Sequence, residues 1–271
     1  MTFLILSVPS YTKTEKKPLY SNKSITLVLD ISKSMLADDI SPSRLEGAKK
    51  VLISFLEHES SNQFGLVIFA GKAFTLSPLS YDRSAIINII QNITTDTIKQ
   101  QLPGLSGTNI GDALLAADKL VRNESGNNTV ILITDGRANI GINPITSAEY
   151  LHNHKTPIYT IGIGESSGAI LSYLDNDGKR QYFFDEKGEK LRADIDNVML
   201  ENIAKTTGGH FFQANDTHLF EKIFDNLSTE LITKPEYYTE KREIHLSFPL
   251  FISLIILIGF HTLLLFWMKK I

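Results

Sequence analysis

Three short polar runs carry the residues best suited to chemistry in this chain of 271 residues. Asp30-Ile31-Ser32-Lys33-Ser34 sets a carboxylate and two hydroxyls at alternate positions. Ser106-Gly107-Thr108-Asn109-Ile110-Gly111-Asp112 adds a third hydroxyl, and Ile133-Thr134-Asp135-Gly136 a second carboxylate. All five groups, on Asp30, Ser32, Ser34, Thr108 and Asp135, are hard oxygen donors, the set that Mg²⁺ or Mn²⁺ takes while keeping some of its water. Two carboxylates neutralise a dication only when both coordinate directly. If hydroxyls hold the direct positions and the carboxylates act through water, the ion stays electron-poor and an open position attracts an external carboxylate. Taken singly, each run has a simpler use: Ser32 and Ser34 as turn caps, Asp135 as a helix cap. Their conjunction at the ends of expected strands points to one site.

The elements that must position these groups follow from hydrophobic period. Residues 24–31 (SITLVLDI), 63–70, 129–134 and 158–163 are short apolar runs rich in β-branched residues, read as buried strands. Residues 73–79 form an antiparallel hairpin partner after Gly71-Lys72, and 210–213 a short edge strand. Helical spacing marks a helix opening at Ser41-Pro42-Ser43, then 82–93 with Asp82 as its N-cap, 110–121, 144–154, 196–207 stopped by Gly208-Gly209, and 216–231. Residues 166–190 are polar and rich in Gly and Asp, which predicts a surface hairpin insertion. Strands apolar on both faces, alternating with helices, imply an α/β fold: a doubly wound, mostly parallel sheet with helices on both faces. In such sheets ligands bind beyond the carboxyl ends of the strands.

Composition narrows the function. The chain has no cysteine, which removes disulfides, Cys-based zinc sites and thiol nucleophiles. Lys and Arg number 27 against 30 Asp and Glu, so phosphate neutralisation does not drive binding and no nucleic-acid partner is expected. No Gly-x₄-Gly-Lys-Ser/Thr run makes the chain a P-loop ATPase, and no Gly-x-Ser-x-Gly elbow activates a serine. Gly162-Ile163-Gly164 is read as turn chemistry, His152 and His154 as too poorly spaced for a zinc pair, Asp38-Asp39 as a solvated loop, and Asp112 as a helix cap.

Residues 246–268 (LSFPLFISLIILIGFHTLLLFWM) carry no Asp, Glu, Lys or Arg. As a helix they would extend about 34 Å, enough to cross a hydrocarbon core of ~30 Å. Trp267 suits the interface, and Lys269-Lys270 form a basic stop, offset by Lys234, Lys241 and Arg242 on the other flank. The expected organisation is an N-terminal segment (1–23), with Met1 to Pro9 the possible remnant of a membrane helix; an α/β domain (24–231); a linker (232–245); a transmembrane helix (246–268); and a basic tail (269–271).

On Asp30, Ser32, Ser34, Thr108 and Asp135 the sequence resembles a von Willebrand factor type A domain with a metal-ion-dependent adhesion site. The segments DISKSMLADDISPSRLEGAKK, GLVIFAGKAF, GTNIGDALLAA, VILITDGRANIG, PIYTIGIG and LENIAKTTGGHFFQANDTHLFEKIFD further resemble the bacterial Bat (aerotolerance-related) membrane proteins. The resemblance implies a non-catalytic module that binds an Asp or Glu of a protein partner through Mg²⁺ or Mn²⁺. It also implies a bacterial inner-membrane location with the domain facing the periplasm, and association with other Bat-type proteins and a MoxR-type AAA+ ATPase. The alternative class is a Mg²⁺-dependent hydrolase with Asp30 as nucleophile or base, in which Lys33 is the lone cation beside the site in sequence.

Overall fold

The computed structural model describes residues 10–19, 23–58, 62–122, 128–164, 169–175, 177–184, 187–193, 195–214, 236–245 and 247–268. The chain divides into two compact units, Ser21–Thr233 and Met1–Tyr20 with Lys234–Ile271. In chain order the first elements are β1 (Ser10–Leu19), β2 (Ser24–Asp30), α1 (Arg44–His58), β3 (Gln63–Phe69), β4 (Ala73–Ser80), α2 (Arg83–Asn92) and α3 (Ile110–Val121). Then come β5 (Asn128–Thr134), α4 (Pro144–Asn153), β6 (Ile158–Ile163), and four short strands, β7 (Ala169–Ile170), β8 (Ser172–Leu174), β9 (Arg180–Tyr182) and β10 (Arg192–Ala193). The last are α5 (Asn197–Thr207), β11 (Phe211–Ala214), β12 (Glu236–His245) and α6 (Ser247–Met268).

Within the larger unit, six strands form one sheet in the order β11-β6-β5-β2-β3-β4. All neighbours run parallel except β3 and β4, the expected antiparallel hairpin. The chain leaves β2 toward β3 and later returns to the other side of β2 as β5. The switch point, where helices cross to opposite faces and leave a crevice, therefore lies between β2 and β5.

Period-two alternation sorts the core. Ile25, Leu27 and Leu29 of β2 with Ile131 and Ile133 of β5 pack against α1 and α2, through Leu45, Leu52, Leu56, Ile86 and Ile90. Val28, Val130 and Leu132 face the other way, onto Ile110, Leu114, Leu151, Leu200 and Ile203 of α3, α4 and α5. Every residue of β2 is buried, as its unbroken apolar run predicts. Caps set the helix starts: Asp82 accepts a hydrogen bond from the Ala85 amide, Asn143 from Ile145 and Asp196 from Met199. α5 ends at Gly208, whose φ of 81° is the left-handed geometry that glycine adopts without strain. The insertion between β6 and α5 is built of two small antiparallel pairs, β7 with β10 and β8 with β9. The helix expected over 216–231 lies outside the described residues, as do Met1 to Pro9 and Lys269-Lys270.

The smaller unit holds a ribbon that sequence reading missed. β1 pairs antiparallel with β12 over ten residues each, from Ser10 opposite His245 to Leu19 opposite Glu236. By sequence these residues belong to the expected N-terminal segment and linker. TKTEKK and TEKRE lack the apolar alternation that marks a half-buried strand, so only backbone pairing reveals them. α6 in the same unit is 22 residues long, and the described side chains of Ile252, Ile255 to Ile258, Phe260 and Leu263 to Met268 are exposed. Among the residues whose side chains are described, no helix is long and apolar enough to cross a membrane; those of residues 247–251 and 254 fall outside the description.

Leu132 is wholly buried on the central strand that carries the second carboxylate. Leu132→Ala is expected to lower unfolding free energy by about 2–5 kcal/mol, read from urea titration of the detergent-solubilised chain.

Candidate metal centre

β2 delivers Asp30 to the switch point fully buried, and β5 delivers Asp135 just beyond its end at 3% exposure. Asp30 is held at both oxygens: Oδ1 accepts from the Ser32 amide (2.8 Å) and Oδ2 from the Thr134 hydroxyl (2.6 Å). The first bond folds the chain sharply after the strand. The second ties the end of β2 to the end of β5. Ser32 then opens a short 3-10 turn over Lys33–Leu36, yet its side chain makes no capping bond; its Oγ lies 3.0 Å from Ser34 Oγ instead. The Ser32 hydroxyl therefore does not serve as the cap of this turn.

Thr108 comes from the loop before α3. Its amide donates to Asn139 Oδ1 (2.8 Å), and the Asn139 amide donates to the Thr108 carbonyl (3.1 Å), clamping this loop to the one after β5. The neighbouring Asn109 caps α3, accepting from the Asp112 amide, and its own amide donates to the Ala70 carbonyl at the end of β3. Asp112, expected as the cap, instead sits in the first turn of α3, where its carboxylate accepts from Asn109 Nδ2 (2.8 Å) and suits the helix dipole. Asp135 caps no helix: bends and loop follow it until α4.

A residue that sequence reading left out joins the two carboxylate loops. Arg44, the first residue of α1, is completely buried. Its Nε and Nη2 bind Asp39 side-on at 2.7 and 2.6 Å, and its Nη1 donates to Asp135 Oδ2 at 3.2 Å. Gly164 makes room for it: φ is +122°, and a Cβ there would lie 2.6 Å from the guanidinium. That is what the second glycine of Gly162-Ile163-Gly164 does. Asp38-Asp39, expected as a solvated loop, is instead paired at both positions, Asp38 with Arg180 (2.8 Å) and Ser172. An arginine opening an amphipathic helix looks like a surface residue, so no periodic signal announced it. His154 bonds Asp118 (3.2 Å).

Burial first, and the nearby charge of Asp135 second, push the Asp30 carboxyl up to about 7 against the hydrogen bonds from Thr134 and Ser32. Burial opposes the charge on Arg44, but Asp39 and Asp135 outweigh it and hold the guanidinium above its ordinary value. The centre thus carries more buried negative charge than Arg44 balances. Ser32, Ser34, Thr108, Gln100 and Asn139 line a cavity of about 270 Å³ whose lining includes neither Asp30 nor Asp135. Three larger clefts, of about 520, 410 and 330 Å³, contain none of the five candidate ligands. Among the described residues no group of three His, Cys, Asp or Glu could hold a metal. A hydroxyl-rich set would not form such a group. Three hydroxyls lining one cavity, close in the fold to an under-compensated carboxylate pair, are a donor set suited to a hard dication.

Residues 25–137 match the family model described as von Willebrand factor type A domain. The chain is 27% identical over 245 residues to a UPF0353 protein of Nocardia farcinica, covering 85% of this chain and 69% of that protein. Its fold is similar to that of BatB from Bacteroides thetaiotaomicron, with a TM-score of 0.69, 26% identity, and coverage of 78% of this chain and all of that one. An aerotolerance-related membrane protein from Bacteroides fragilis is comparable, at a TM-score of 0.68, 26% identity, and coverage of 77% and 100%. At 19% identity, a TM-score of 0.58, and coverage of 87% of this chain and 50% of that one, proximal thread matrix protein 1 from the mussel byssus, whose MIDAS motif is zinc-occupied, shares the fold.

Two outcomes follow from the charge arrangement. Arg44→Lys replaces a planar fork by a point charge and leaves part of Asp39 or Asp135 unpaired; it should destabilise the domain by about 3 kcal/mol in urea unfolding. The Asp30 carboxyl has a folded pKa of about 7, above its ordinary 3.8, so its contribution to stability is full below 3.8 and lost as pH rises through 7. In EDTA, Tm should therefore fall between about pH 4 and pH 8 more steeply for the wild type than for Asp30→Asn, which mimics the protonated acid. Equal slopes in differential scanning fluorimetry would remove the effect from Asp30.

Proposed function

We propose that this von Willebrand factor type A domain protein is a membrane-anchored, non-catalytic module that binds a protein partner through Mg²⁺ or Mn²⁺ held by Asp30, Ser32, Ser34, Thr108 and Asp135. One observation carries the reading: the three hydroxyls line one cavity that neither carboxylate lines, and Asp30 has both oxygens engaged. Hydroxyls would touch the ion and the carboxylates would serve it through water. The ion, when bound, supplies a Lewis-acidic position that a carboxylate of the partner completes. The domain's own residues orient it: Thr134 and the Ser32 amide fix Asp30, Arg44 fixes Asp135, and Asn139 fixes the Thr108 loop.

The sequence similarity to Bat-type proteins supports assembly with other Bat-type membrane proteins and a MoxR-type AAA+ ATPase in a stress or aerotolerance system. The uncharged run over 246–268, helical over Ser247–Met268, supports a membrane anchor. Lys269-Lys270 and the Bat resemblance favour a bacterial inner membrane with the domain on the periplasmic side.

Asp30→Ala should abolish Mg²⁺ binding in calorimetry while the circular dichroism spectrum is retained; unchanged affinity would move the site elsewhere. Thr108→Ala should weaken partner capture at saturating Mg²⁺, and EDTA should eliminate it; a complex that survives chelation at full affinity excludes this mode. Protease added to spheroplasts should digest the domain with the membrane intact, and protection until lysis would place it in the cytoplasm.

A further inference from the structure

The metal cavity has a second wall that its ligands do not explain. Leu171, Phe183 and Leu191, all from the insertion between β6 and α5, line the same cavity as Ser32, Ser34 and Thr108. These three residues form one backbone-bonded cluster: the Leu171 amide donates to Leu191 (2.8 Å), Phe183 to Leu171 (3.2 Å) and Leu191 to Phe183 (2.9 Å). Phe183 stands 5.0 Å from the Tyr173 ring, and Leu171 and Phe183 pack on the fully buried Ala37, just after the turn that carries Ser32 and Ser34. Asp38 then pins the insertion through Ser172 and Arg180. The wall is therefore fixed to the metal loop, preorganised and apolar.

A satellite core would account for Leu171, which is 8% exposed, but not for Leu191, which stays 38% exposed while facing the cavity. At about 270 Å³ the space falls below the ~300–1,000 Å³ of small-molecule pockets, which favours a few side chains of a protein over a cofactor. The floor offers hard oxygens for an ion, Lys33 adds a positive charge on the rim, and the wall offers apolar carbon.

We infer that the insertion is a specificity wall: the partner presents a linear segment in which the acidic residue that completes the metal shell is flanked by a large apolar residue, Leu or Phe, seated against Phe183 and Leu191. This rests on the metal-site reading above. The carboxylate supplies the anchor and the flanking side chain the selectivity, since burying one apolar side chain is worth about a tenfold or greater change in affinity.

The test uses the full chain in detergent with Mg²⁺ against immobilised synthetic peptides. Each has a central Asp flanked by Leu, Phe, Ser or Lys, with a matched set in which Asn replaces the Asp. Peptides with Leu or Phe flanks should be retained about tenfold better than those with Ser or Lys, and EDTA or the Asn set should abolish retention. Leu191→Ser should erase the preference while leaving Mg²⁺ affinity by calorimetry unchanged. Phe183→Ser should do the same, and the exposed position of Leu191 keeps the test valid if Phe183→Ser loosens the insertion. Retention that needs Mg²⁺ and Asp but ignores the flanks overturns the wall and leaves the metal site standing. Retention indifferent to EDTA and to Asn overturns the metal-site reading itself. No retention of any peptide overturns the linear segment.

Discussion

Two carboxylates buried at the ends of adjacent strands constitute the constraint around which this domain is arranged. Asp30 and Asp135 occupy the switch point because β2 and β5 are neighbours, and both strands are apolar enough to exclude water from their ends. Excluding water from like charges raises their energy steeply unless a countercharge is supplied. Arg44 supplies one, and much of the surrounding sequence serves to bring it there. α1 opens on it, Asp39 takes two of its donors, and a left-handed glycine at 164 clears the space beside it.

One guanidinium bonds two carboxylates, Asp39 and Asp135, and gives none of its hydrogen bonds to Asp30. The remaining charge falls on Asp30, whose folded form holds its proton far more tightly than an exposed acid. A cation in front of Asp30 would relieve the same burden. Ser32 and Ser34 follow Asp30 closely in the chain, and an ion held by their neutral hydroxyls would not be fully neutralised and would keep affinity for an outside carboxylate.

Much of this frame was legible in the sequence, because strands buried on both faces and amphipathic helices leave strong periodic signals. Residues 110–121 and 158–163 were placed to the residue. The five oxygen-bearing positions could be singled out because loops at strand ends carry little packing information, so Asp, Ser and Thr recurring there stand out. What was hidden has no period. Arg44 is defined by partners that lie five and 91 residues away. Asn139 earns its place through a reciprocal bond to a loop 31 residues earlier. The β1–β12 ribbon joins segments whose residues are mostly charged and hydroxylic, and its pairing is a property of the backbone.

The dipeptide Asp38-Asp39 shows how the two sides of the cavity are made dependent on each other. Asp39 binds inward to Arg44 and through it reaches Asp135, the carboxylate beyond the end of β5. Asp38, one residue earlier, binds Arg180 and Ser172 of the insertion, which forms the apolar wall. Ala37, fully buried, packs on that wall and follows directly from the turn bearing Ser32 and Ser34. A shift of this short segment cannot move floor or wall alone, since each adjacent residue is committed to a different side. Charge compensation for the buried pair and the shape of the opening in front of it are therefore a single structural problem, solved in three consecutive residues.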